Sequence, residues 1–363
     1  MKKYGVLGLM SGTSLDGLDM AYVEFVDGKT WKYEIICCSS QAYDHNIKEK
    51  LKYAGKSNAL DLKLLDIEYG KWVGNAVHQF ITTNKITPGL IASHGHTIFH
   101  QPDKGLTLQI GDGYQIMNAT GITTICDLRS LDVSMGGQGA PLVPIGDKYL
   151  FGAYDVCLNL GGFSNVSFNK TGERIAYDIC PVNTVLNYLS SEINLEFDKD
   201  GMVARSGKRN DQLLEKLNNL KYYRQKPPKS LGIEWVEQNV FPLLSGDSTE
   251  NLLNTYCHHI AQQIVASVLR CRDFGLSGHT LSMLATGGGA KNSYLVELIN
   301  EEALGTIDIV VPDKQLIDFK EAVIFAFLGL LRRLGKINTL CSATGAPRDS
   351  SGGLVFDHFE TME

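Results

Sequence analysis

Residues 8–19 read GLMSGTSLDGLD and follow directly on an apolar run. Gly12 and Gly17 permit positive φ and a close approach of the backbone, so that N–H groups can converge on an anion. Thr13 and Ser14 add hydroxyl donors, Leu15 and Leu18 lie between the polar positions, and Asp16 or Asp19 could orient water around Mg²⁺. The stretch is neither G-x-x-x-x-G-K-[ST], since no lysine follows, nor G-x-G-x-x-G. Taken alone, a type I′ hairpin turn explains it equally well. A second cluster, ATGGGAKN at 285–292, ends a strand pattern and opens a helix pattern. Gly287, Gly288 and Gly289 in a row cost chain entropy, and they suit a backbone laid flat against a nucleotide with a helix N-terminus aimed at phosphates. Glycines at strand ends are the competing, purely structural explanation.

Other stretches could recognise or activate a substrate. GGQGAPLVP (136–144) reads as a polar, mobile loop outside the core, carrying Gln138 and stiffened by two prolines. Arg129 follows the strand-like TTIC. It is read either as one arm of a surface ion pair of little worth or as a bidentate ligand for a carboxylate or phosphate. SHGHTIFH (93–100) carries three histidines. Regular strand spacing puts His94 and His96 on one face, where hydrogen bonding to a polyol is favoured over metal binding, because no Cys or carboxylate stands beside them at ligand spacing. In AYDICPVN (176–183), Asp178 falls at the end of a strand, a place for a general base; a turn or helix-capping aspartate is the alternative.

These residues need a scaffold. YGVLGLM (4–10), MAYVEFV (20–26) and WKYEIICCSS (31–40) read as an antiparallel meander, and residues 59–81 as a long helix. Short buried strands are predicted at 89–93, 97–99, 106–110 and 123–128. A second cycle opens at VCLNLGGFSNVSFN (156–169), where Gly161 and Gly162 form a second glycine hairpin, and ERIAYDIC (173–180) supplies a third strand. Helices are predicted at 183–194, 210–218, 249–273, 291–303 and 319–334, strands at 281–289 and 307–312, and a surface loop at KPPKS (226–230). Both halves thus open with a meander whose first hairpin carries glycine. The pattern favours an α/β, two-lobe actin-like ATPase (sugar kinase/Hsp70/actin) fold with a central inter-domain cleft, divided as 1–145 and 146–363 with the last helix packing back on the first lobe, over a single doubly wound sheet.

The totals bound the class. The 363 residues carry 34 Lys and Arg against 40 Asp and Glu, for a net charge of −6, which argues against a nucleic-acid partner. Eight cysteines without C-x-x-C spacing predict a reduced cytoplasmic protein, and no apolar run reaches the ~20 residues of a membrane span.

The motifs GLMSGTSLDGLD, SHGHT, LQIGD, DLR, DVSMGGQGAPLVP, NLGGFSN, YDICPVN, PPKSLGIEW and GGGAKN, followed by TGAPR at 344–348, resemble in order those of the anhydro-N-acetylmuramic acid kinase family. The resemblance implies ATP and Mg²⁺, and hydrolytic opening of 1,6-anhydro-N-acetylmuramic acid with phosphorylation at O6 in cell-wall recycling. It also implies a homodimer. It puts the base on Asp178 and the ATP loop on Gly12 to Asp19, and the family tends to carry Glu-Ala where Glu321 stands. With the residue readings above, substrate contacts are expected at His94, Arg129, Gln138, Asn183 and Glu321. For Glu321 a helix-start carboxylate favoured by the macrodipole weighs equally. The chain departs from the family at DICPVN (usually DTGPGN), HGHT (HGQT), DLRSLDV (DFRRRDV) and KSLGIE (KSTGRE). These departures leave open a kinase of a different sugar, and, as a more distant alternative, a non-catalytic ATP-gated interaction protein.

Overall fold

The computed structural model describes residues 2–12, 14–170, 172–227, 229–276 and 280–357. In chain order the strands are β1 (Lys3–Ser11), β2 (Gly17–Val26), β3 (Lys32–Ala42), β4 (Leu90–Gln101), β5 (Leu106–Ile110) and β6 (Thr124–Cys126). They continue with β7 (Val156–Leu160), β8 (Phe163–Lys170), β9 (Glu173–Pro181), β10 (Leu281–Thr286), β11 (Ile307–Val310) and β12 (Leu354–Phe356).

The strands form two sheets of the same design. One orders β12-β6-β4-β1-β2-β3, with β5 on β4; the other orders β11-β10-β7-β8-β9. In the first, β1, β2 and β3 make the antiparallel meander and β1 pairs β4 parallel, as β4 pairs β6. In the second, β7, β8 and β9 make the meander, and β7 pairs β10 parallel, as β10 pairs β11. Parallel neighbours require crossovers, which helices supply. This twice-repeated meander with parallel additions is the actin-like ATPase fold.

The chain divides into two compact units, residues 1–150 with 319–363, and residues 151–318. The sequence division at 145/146 counted residues 319–363 with the second lobe while expecting the last helix to pack back on the first; by their contacts these residues group with the first unit. The physical reason is steric fit. A Cβ on Gly8 would fall 2.8 Å from Ala326 Cβ, and a Cβ on Gly329 would fall 2.3 Å from Ala92 Cβ, so the helix Lys314–Arg333 lies directly on β1 and β4. Its Phe325, Phe327 and Leu328 are buried.

The other face of the first sheet buries Leu7, Leu9 and Ile91 under the helix Ala59–Asn84, through Tyr69, Val73, Val77 and Phe80. Asn58 caps that helix through Asp61 N at 3.0 Å. In the second unit the helix Thr249–Arg270 supplies Tyr256, Ile260 and Ile264 to a core shared with Leu158, Val166 and Ile179. Each fully buried Leu, Ile or Val contributes about 1.5–3 kcal/mol of transfer free energy. No described helix is long and apolar enough to cross a membrane, and none of the eight cysteines is in a disulfide.

Candidate active site

In both units several of the residues singled out above follow the carboxyl ends of parallel strands, where open α/β sheets present ligands: Gly12 after β1, Arg129 after β6, Gly161 and Gly162 after β7, and Gly287 after β10. In the first unit β1 ends at Ser11, and a five-residue loop, 12–16, returns the chain into β2. This is longer than a two-residue type I′ turn. The positive φ of 60° falls on Leu15, whose N–H donates to the Gly12 carbonyl at 3.3 Å, and not on a glycine. Gly17 is required instead by close approach, since a Cβ would meet the Gln41 carbonyl at 2.4 Å. A Cβ on Gly12 would stand 3.4 Å from Ser14 Oγ, an ordinary contact, so close packing by residues other than its chain neighbours does not require glycine there. Ser14 and Asp16 are exposed, Leu18 is core, and Asp19 accepts from Ser40 Oγ. Thr13 lies outside the described residues.

The histidines do not share a face. Gly95 adopts φ +74°, and the β1–β4 register shifts between Leu9 and Ser11. His94 therefore turns toward Phe325, with ring centroids 4.6 Å apart, while His96 turns to the opposite side, toward Tyr69 and Ser11. His94 and Arg129 form one unit. Arg129 Nε and Nη2 reach His94 Nε2 at 3.1 and 2.9 Å, Nη1 donates to the Gly139 carbonyl at 2.6 Å, and the guanidinium stands 5.9 Å from the centre of the Phe325 ring. An accepting Nε2 assigns the neutral tautomer whose Nδ1–H meets the Gly95 carbonyl at 2.8 Å. Burial, with Arg129 beside it, pushes His94 down to about 3. Burial lowers Arg129 to about 10, opposed by Glu321. Arg129 is thus no surface ion pair.

Glu321 lies well inside the helix Lys314–Arg333, which removes the helix-start explanation for it. Solvent reaches its side chain, yet surrounding protein raises its carboxyl, with Arg129 and Lys320 pulling the other way. The GGQGAPLVP segment is less peripheral than its composition suggests: Gly137, Gly139 and Leu142 are buried. Asp132, 1% exposed, organises it by accepting from Gly139 N at 2.8 Å and Thr344 Oγ1 at 2.7 Å. Gln138 is exposed, its N–H donating to the Thr344 carbonyl at 2.8 Å.

In the second unit the Gly161–Gly162 hairpin joins β7 to β8. Its carbonyls accept from Val182, Asn183 and Thr184 N–H at 2.8–3.2 Å, so it caps the helix Asn183–Ser191. Asn183 Nδ2 donates to the Leu160 carbonyl at 3.2 Å. The glycine run packs on the same spot. Gly287 adopts φ +85°, where a Cβ would fall 2.6 Å from Asn159 Oδ1, and a Cβ on Gly289 would fall 2.9 Å from Leu160 Cβ. Gly288 lies against Asn183. Hairpin, Asn183 and glycine run therefore form one continuous backbone surface.

Asp178 occupies β9 at a bulge: Ser164 pairs Cys180, Asn165 pairs Asp178, and Ile179 is the extra residue. Its Oδ2 accepts from Leu231 N–H at 2.9 Å, its N–H donates to the Lys229 carbonyl at 3.2 Å, and its carbonyl accepts from Tyr222 Oη at 2.8 Å. Burial raises its carboxyl above the ordinary value, while the Leu231 N–H and Lys229 hold it down. KPPKS is accordingly more than a surface loop. Sequence reasoning missed Lys229, Leu231 and Tyr222 as partners of Asp178; the PPKSLGIEW motif was the available signal. Ile179, Cys180 and Val182, the departures beside Asp178, are all 2% exposed or less and lie in the core.

A family model described as anhydro-N-acetylmuramic acid kinase matches residues 4–358. The anhydro-N-acetylmuramic acid kinase of Sulfurimonas denitrificans is 31% identical over 97% of this chain and 99% of its own. That of Vibrio cholerae is 35% identical over 96% and 97%. A solved xylulose kinase from Rhodospirillum rubrum is 11% identical, with a TM-score of 0.43, over 90% of each chain. On the full-length match of sequence, the chain belongs to the anhydro-N-acetylmuramic acid kinase family.

Proposed function

We propose that this protein is an ATP-dependent kinase that hydrolytically opens 1,6-anhydro-N-acetylmuramic acid and phosphorylates the released O6. Asp178 takes a proton from water as its oxygen bonds to the anomeric carbon. The C1–O6 bond breaks, O6 attacks the γ-phosphorus of ATP, and ADP departs, leaving N-acetylmuramic acid 6-phosphate. The observation that carries this reading is the setting of Asp178: a half-buried carboxylate held by one N–H, in the unit that also presents a glycine cradle. A base needs a hydrogen-bonded orientation and a pKa drawn toward the working pH, and Asp178 has both.

ATP fits the chain at two places. The backbone of Gly12 and the exposed Ser14 are proposed for phosphate oxygens, and the exposed Gly288, between Gly287 and Gly289 that pack directly on Asn159 and Leu160, is proposed as the second nucleotide contact. Magnesium binds through one or two carboxylates with phosphates and waters, so Asp16 and Asp19 are the candidates, and the ion would neutralise charge on the transferring phosphoryl group. The Arg129–His94 pair, Gln138, Asn183 and Glu321 are proposed for the sugar.

The same acceptor is favoured over a different sugar, because Ile179, Cys180, Val182 and His96 are buried within their units. The reading carries with it a cytosolic homodimer, which sedimentation would measure. The deciding experiment follows ADP release with and without the anhydro sugar, and the mass of the product. Sugar-dependent ADP and a product heavier by one water and one phosphoryl group support it. Turnover of another sugar instead, or ATPase stimulated only by a polypeptide, overturns it.

A further inference from the structure

Asp178 is held by a single short segment. Lys229 accepts from its N–H through the backbone carbonyl, and Leu231, two residues on, donates to its carboxylate. The Lys229 side chain does not run into solvent. Its ammonium sits 4.3 Å from the centre of the Tyr222 ring and 5.8 Å from that of Tyr177, and donates to the Tyr222 carbonyl at 3.4 Å. Tyr222 in turn donates its hydroxyl to the Asp178 carbonyl at 2.8 Å. Segment, aromatic cage and carboxylate thus close a loop of contacts within one unit. Such a cage places a cation by ring quadrupoles, without a second carboxylate to neutralise it.

We propose that Lys229 is a positioning residue for the hydrolytic step: caged on Tyr177 and Tyr222, and carried on the segment that clamps Asp178, its ammonium keeps that carboxylate in the form that accepts a proton. This rests on the reading of Asp178 as the base. The groups that bear on the pair are the Cys180 thiol and Tyr177 from β9, Tyr222 from the turn Lys221–Arg224, and Arg270 from the helix Thr249–Arg270. Arg270 is itself drawn toward the Tyr223 carbonyl at 3.0 Å. Burial and Arg270 lower Lys229 to about 8, so it is charged throughout the range in which a carboxylate titrates.

The test is the acid limb of kcat/KM for the anhydro sugar in wild type, Lys229→Met, Lys229→Arg and Tyr222→Phe. Removing the charge leaves burial opposed by the Leu231 N–H alone, so the limb in Lys229→Met moves to higher pH. Lys229→Arg restores the wild-type limb. Tyr222→Phe keeps ring and charge, and lowers kcat without moving the limb. Should Lys229→Met fail to fold, Lys229→Gln reads the same limb. An unmoved limb in the neutral variant, or a lower kcat that arginine does not rescue, overturns the proposal. A wild type that forms no ADP with the sugar instead overturns the assignment of the reaction, so the two failures are distinct.

Discussion

Replacing Asp178 with asparagine separates chemistry from architecture. Asparagine is isosteric, and its carbonyl oxygen can accept the Leu231 N–H that Oδ2 accepts now at 2.9 Å. The two backbone bonds, to the Lys229 carbonyl and from Tyr222 Oη, are untouched. Exchanging a charge-assisted hydrogen bond for a neutral one costs about 1 kcal/mol. Against this, the folded-state pKa of Asp178 is raised, so the native state binds the proton more tightly than the unfolded chain, and ionisation at neutral pH opposes folding. Asparagine removes that opposition. The two effects offset, and the expected change in melting temperature is within about 4 °C at this size of unit. Catalysis has no such compensation. Loss of a positioned base lowers kcat roughly a hundred- to ten-thousand-fold. The assay is coupled ADP release at saturating sugar and ATP, with nucleotide affinity by calorimetry and a melting curve on the same preparation. Turnover within tenfold of wild type would refute the role of Asp178. So would a loss of activity that accompanies unfolding or loss of ATP binding.

Three further outcomes are expected. Arg129→Lys keeps the charge but loses the fork that joins His94 Nε2 to the Gly139 carbonyl, so sugar kcat/KM falls about 10- to 100-fold while ATP affinity holds; steady-state kinetics with each substrate varied checks it. Gly287→Ala forces a Cβ at φ +85° to within 2.6 Å of Asn159 Oδ1, a strain of roughly 1–2 kcal/mol, and ATP binding weakens about tenfold by calorimetry. Burial depresses His94 to about 3, His96 to about 4 and His259 to about 3, so the unfolded chain takes up protons that the native state refuses. The stability they contribute is complete above pH 6.5 and is lost as pH falls toward 4, at about 1.4 kcal/mol per unit for each; melting curves at pH 7, 6 and 5 measure the slope.

Much of this was legible in the letters, because it is local. Alternating apolar residues in MAYVEFV and helical spacing across 59–81 are written in neighbouring positions, and so were the two glycine hairpins. The family, too, was legible from motif order. What was not legible is long-range. His94 and His96 were expected on one face, as period-two alternation requires. A single left-handed glycine between them, Gly95, sends one histidine to Arg129 and the other to Ser11. Lys229 read as a solvated loop lysine: Tyr222 stands only seven residues before it, but the letters do not show that this ring and the ring of Tyr177, on β9, fold over its ammonium.

The departures at DICPVN make the same point. As letters, Ile179, Cys180 and Val182 threatened the acceptor site; as side chains, they fill a core beside the helix Asn183–Ser191 and leave Asp178 in place. The sequence by itself determined the two meanders, the long helices, the duplicated plan and the family, since propensity, periodicity and motif order act over short spans; it did not show the helices His45–Tyr53 and Gly113–Thr120 or the strand β12. Only the tertiary structure decided which face each polar residue occupies and which partner it meets. Those choices turn on one bulge at Ile179 and one left-handed glycine, whose geometry is settled by strands that pair across long stretches of chain.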